Sequence, residues 1–152
     1  MKDRVLPLAD GPKRSLCGNP MNEQPTHIYD EVPGGPELLR WFGRVPSFHD
    51  AEIISVELRR WGQSLLRVHG FVGTDKTDKG GYIVLDKHAV VTFMLEDIMD
   101  LQLDGFSPQN VIGDLKLQRA IDRGRASYFA HPESPEDIEI DLMPCYGLDG
   151  FI

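Results

Sequence analysis

At 152 residues the chain has the length of one ordinary domain and can stabilise a core without disulfides or a structural metal. Its apolar fraction of 41% is that of a globular protein, no run of about 18 apolar residues could cross a bilayer, and the start Met1 to Leu8 is too short and too broken by Pro7, Asp10 and Pro12 for a signal-peptide core. The net charge of −8 is concentrated in two segments, Glu96, Asp97, Asp100 and Asp104, then Glu133, Glu136, Asp137, Glu139 and Asp141, a field that disfavours nucleic acid and speeds encounter with a basic partner.

Residues 1–27 carry Pro7, Gly11, Pro12, Gly18, Pro20 and Pro25 among polar residues with no helical or strand period, and read as a flexible tail ahead of a single β-rich domain, 28–152. Met21 opens a passage with the look of a protein start, so the first twenty residues are either a true extension or lie upstream of the translated chain. From Val32 to Gly43 a turn, Pro36 at a first helical position, Glu37 in the first turn and a terminal glycine predict a helix of about two turns, with Leu38, Leu39 and Phe42 on one face beside Trp41.

From Glu52 the period becomes two. Ile54, Val56 and Leu58 alternate with polar residues, and Trp61 to Ser64 connects this strand to Leu65–Val72. Gly73 to Gly81 reads as a polar, exposed, flexible loop, with strands resuming at Tyr82–Leu85 and Ala89–Leu95. Further strands are expected at Met99–Leu103, Val111–Leu117, Ala126–Ala130 and Ile138–Leu142, the last turning Glu139 and Asp141 to water. Short strands without helical crossovers predict a mainly β protein: an antiparallel sheet, sandwich-like or curled, with one short N-terminal helix.

The densest group of chemistry-bearing residues is Pro46-Ser47-Phe48-His49-Asp50-Ala51-Glu52. His49, Asp50 and Glu52 are all metal ligands or acid–base groups by type, and a metal-dependent hydrolase built on them is the alternative reading. Against it, adjacent residues on an extended segment point to opposite faces, so His49 and Asp50 share one ion only through a special turn. The competing reading has Phe48 as a buried anchor and His49 or Asp50 bonding the backbone where the chain enters the sheet. His27, His69, His88 and His131 have no partner at ligand spacing, and Cys17 and Cys145 form neither a disulfide framework nor a metal spacing. No Gly-x-Ser-x-Gly or phosphate-binding glycine pattern occurs, so no catalytic residue, metal or cofactor is expected. Asn110, in Asp104 to Ile112, is of the type that bridges a turn, and the aromatics of Pro144 to Phe151 read as a chain end folding back onto the core.

The run Trp41 to Ile53, above all Pro-Ser-Phe-His-Asp-Ala-Glu, together with Phe93 to Asp97, Gln109 to Ile112 and Tyr146 to Leu148, resembles the immunity protein 50 family of bacterial polymorphic-toxin systems over about residues 36–151. That resemblance implies a mostly β, cytoplasmic protein that neutralises a cognate toxin by binding it, with no catalytic residue and no membrane role. The expected contact residues are Phe48, His49, Asp50, Glu52, Asn110, Glu139 and Asp141, the last two as an acidic strand that mimics a substrate in a basic cleft. A self-associating structural module is the third reading.

Overall fold

The two-residue alternation folds into one open sheet. A computed structural model describes residues 3–6 in backbone path, and residues 27–121, 123–124 and 137–152 in full. Its strands are β1 (Asp3–Leu6), β2 (Glu52–Glu57), β3 (Ser64–Thr77), β4 (Ile83–Leu95), β5 (Gln102–Asp104), β6 (Val111–Arg119), β7 (Ile138–Tyr146) and β8 (Asp149–Phe151), in the spatial order β1-β4-β3-β2-β6-β7-β8-β5. Every pairing is antiparallel except that of β1, which runs parallel to β4 from Asp3 opposite Val90 to Leu6 opposite Phe93. The segment expected as a structureless tail therefore contributes a strand; four residues are too few to display a period. Its remainder, 7–26, and the strand expected at Ala126–Ala130 lie outside the described residues.

The helix α1 (Gly35–Phe42) forms as its end signals predict. Gly34 and Gly43 flank it at φ of 81° and 77°, and the Gly43 N–H donates to the Leu39 carbonyl at 2.6 Å. Leu38 and Phe42 are buried, and Trp41 Nε1 donates to the Lys87 carbonyl at 3.2 Å, tying the helix to β4. Gly35 is obligatory for a steric reason: a Cβ there would stand 1.7 Å from the carbonyl oxygen of Tyr29, in the short 3-10 turn Ile28–Asp30.

The loop expected at Gly73–Gly81 is shorter than predicted. β3 continues to Thr77, paired with Ile83, and β4 is one strand where two were expected. Thr74, Asp75, Lys76 and Thr77 read as loop because both faces of this ladder meet water, leaving no apolar alternation to mark it. The turn is closed by Asp78, whose Oδ1 accepts from the N–H groups of Gly80 at 2.7 Å and Tyr82 at 3.0 Å. The strand expected at Met99–Leu103 is the three-residue β5.

The core lies where α1 and the 46–51 segment cover β3 and β4: Leu66, Val68, Val91 and Phe93 meet Phe42, Phe48, Ile53, Leu115 and Leu142. Because Leu66 is completely buried, Leu66→Ala is expected to cost about 2–5 kcal/mol in urea unfolding. Ile54→Ala, at a site 49% exposed on the neighbouring strand, should stay within about 0.5 kcal/mol.

Candidate functional site

The segment between α1 and β2 takes the special turn that two neighbouring ligands would need. Phe48 and Asp50 both have positive φ, 54° and 62°, so the chain reverses twice within three residues and the extended-segment rule no longer separates His49 from Asp50. The turn is fixed from both ends. Ala51 N–H donates to Phe48 O, Asp50 N–H to Ile112 O, and Ile112 N–H to Ala51 O, each at 2.9 Å. Phe48 is the anchor, buried edge-on against Phe42 and Phe93 at ring separations of 6.0 and 5.9 Å. It holds the fold and has no surface to offer a partner.

His49 and Asp50 project into solvent, with side chains 61% and 64% exposed, and His49 Nδ1 lies 3.1 Å from Asp50 Oδ2. The side chain that joins them is Cys145, at the end of β7; a ligand atom from each of the three lies within 4.8 Å of the others. Glu52 stands apart from this trio, on β2 opposite His69 and Val111. No sequence spacing announces Cys145, which reaches the turn only because β6 carries pairing from residues 50–53 across to β7.

On the other side of the same segment, Val45, Pro46 and Ser47 form one wall of a groove of about 510 Å³. Its opposite wall is the 3-10 turn at Ile28–Asp30 with His27, and its floor is the consecutive run Asp114 to Arg119 of β6. The strand's alternation fixes where its amides point. Leu115 N–H donates to Ser47 O at 3.2 Å, away from β7, whereas Ala120 N–H donates to Asp137 O at 3.0 Å on the β7 side. Leu117 and Arg119 share the parity of Leu115, so their N–H and C=O groups face the groove, and among the described residues no backbone group outside the β6–β7 ladder pairs with them. Two side-chain atoms on the groove wall, Tyr29 Oη and His27 Nδ1, are buried without a hydrogen bond among the described residues. Burial first, and the charge of Asp114 second, push the Tyr29 hydroxyl well above its ordinary pKa, so it is a neutral donor with no acceptor among the described residues.

Besides Phe48, two further expected contact residues belong to the fold instead. Asn110 is buried; its Oδ1 accepts from the N–H groups of Ser107 at 2.9 Å and Leu148 at 3.2 Å, and its Nδ2 donates to Ser107 O at 2.7 Å. Glu139 does not face water. Its side chain is only 5% exposed, gripped by Arg123 through both guanidinium nitrogens and by Gln118 Nε2 at 2.9 Å, while the Arg123 guanidinium lies 3.7 Å from the centre of the Phe151 ring. Asp141 is half-buried, opposite Lys116 and Phe151. The second face of β7 is thus covered by a side chain that alternation cannot see, and Glu139 cannot enter a partner's cleft. A pair the spacing did not reveal is His69 and His88, stacked with ring centroids 5.3 Å apart and His88 Nδ1 3.2 Å from His69 Nε2. Among the described residues no helix is long and apolar enough to cross a membrane.

No protein-family model, no curated protein and no solved structure matches the chain.

The Glu139 pair sets a pH dependence. Burial alone would raise this carboxyl, but the hydrogen bonds from Arg123 and Gln118, the Arg123 charge and the Ile121 backbone together hold it below 4.5. A depressed folded-state pKa contributes stability that is complete above the unfolded value and is lost as pH falls through the folded one. Thermal melts of the wild type should therefore fall steadily below about pH 4.5, and Arg123→Ala should lower stability near neutrality while flattening that acid limb.

Proposed function

We propose that the protein binds and neutralises a cognate protein toxin in the cytoplasm, as an immunity protein does, and that an extended segment of the toxin lies along the open edge of β6. The observation that supports this reading is the groove: inward-facing backbone groups of Leu117 and Arg119 beside two buried polar atoms that have no hydrogen-bond partner among the described residues. An added strand supplies the acceptors and donors such an edge lacks, and apolar side chains of that strand would rest on Ile28, Val45 and Pro46. The net charge of −8 favours a basic partner and a fast, salt-sensitive encounter. The motif that carries the resemblance to immunity proteins forms the groove wall at Pro46 and Ser47, which links the sequence signal to this surface.

Co-expression with the product of a neighbouring toxin gene tests the proposal: restored growth and a complex on size exclusion support it, and undiminished arrest without a complex overturns it. Tyr29→Phe gives a sharper reading. Removing a buried hydroxyl without a partner should leave the free protein as stable or up to about 1 kcal/mol more stable, yet weaken toxin binding measured by calorimetry. Leu117→Pro, which deletes one groove-facing N–H, should keep the circular dichroism of the fold and lower affinity by about tenfold.

A further inference from the structure

The trio of His49, Asp50 and Cys145 plays no part in the groove, and its placement asks for a separate explanation. Three local devices converge on it. The double reversal at Phe48 and Asp50 brings an imidazole and a carboxylate to one side of the chain. The β6–β7 ladder shifts register between Val111 and Ile112 and again between Ile112 and Asp114, which re-aims the residues opposite, Pro144 and Cys145. Gly113 sits inside that irregularity, where a Cβ would be 3.2 Å from Met143 O and 3.3 Å from Cys145 N, so the absence of a side chain lets β7 approach.

The geometry points to a Zn²⁺ site with His49, Asp50 and Cys145 as its three protein ligands. The donor set selects the ion: a thiolate with an imidazole and one carboxylate suits a borderline-soft metal, whereas Mg²⁺ and Ca²⁺ take oxygen ligands. Tetrahedral bonds of about 2.0–2.3 Å place donor atoms roughly 3.3–3.7 Å apart. His49 and Asp50 already stand at 3.1 Å, and the three-way limit of 4.8 Å closes by about 1 Å through rotation of exposed side chains on a hydrogen-bonded backbone. Binding exchanges the His49–Asp50 contact for two metal bonds and displaces the Cys145 thiol proton to solvent, so affinity rises with pH. The fourth position faces water and is open to a solvent molecule or to a donor from a partner. This site goes beyond the proposed toxin binding and is tested on the protein alone, so either can fail without the other.

The experiment is a titration of chelator-stripped, reduced full-length protein with Co²⁺, followed by the thiolate-to-cobalt charge-transfer band, with Zn²⁺ competition and calorimetry in parallel. One equivalent should bind, with the band present in wild type and in Cys17→Ser and absent in Cys145→Ser. His49→Ala and Asp50→Asn should each weaken Zn²⁺ by at least about tenfold, while excess Mg²⁺ has no effect. Circular dichroism checks that each exposed-site variant keeps the fold. Absence of saturable binding overturns the assignment. So does binding that survives in Cys145→Ser and is lost in His69→Ala, which would place the ion on the stacked imidazole pair.

Discussion

The burial of Phe48 is the constraint on which the rest of the site depends. A bulky side chain at positive φ costs about 1–2 kcal/mol, and the chain accepts that cost here because the ring fills the space between Phe42 and Phe93. Full burial of a Phe contributes about 1.5–3 kcal/mol, with each edge-on aromatic contact adding about 0.5–1.5, so packing outweighs strain. Gly70 completes the socket, since a Cβ there would press to 3.0 Å from the ring. With Phe48 seated, Ser47 and His49 have no freedom to exchange sides, and one short segment serves two surfaces.

Those surfaces differ in kind. The groove side presents backbone: an open strand edge, a neutral tyrosine donor and apolar walls, which recognises shape and extension more than any one side chain. The turn side presents three ligating side chains held by hydrogen bonds to β6. Both rest on the same join, where β2 meets β6 in register only at Glu52 and Val111 and irregular backbone takes over the pairing. A sheet paired regularly across that join would have closed the edge that the groove leaves open.

What the sequence disclosed follows physical range. The alternation in Val91, Phe93, Ile140 and Leu142 is local, and so are the glycines that frame α1 and the side-chain amide of Asn110; strands, helix and turn were legible from them. The inward face of β2 was not: a register shift between Ile53 and Ser55 buries Ile53 and leaves Ile54 and Leu58, expected on the apolar face, about half exposed. Phe48 was readable as an anchor because it is the one large apolar residue in a polar run. Glu139 was not, because its neighbours on β7 alternate as a half-exposed strand would, and the side chains that pair with it, Gln118 and Arg123, arrive from elsewhere. Cys145 was invisible for the same reason. The β3–β4 hairpin was under-read because Thr74 to Thr77 are held by a ladder with no apolar face.

The parallel pairing of β1 with β4 bears on the molecule's behaviour in the test tube and the cell. Asp3 to Leu6 cap the backbone of Val90 to Phe93, which would otherwise be the bare rim of the sheet at its most apolar stretch. Proteolytic trimming of a handful of N-terminal residues would uncover that rim and leave a bare strand edge of the kind that templates association between chains, with the core itself untouched.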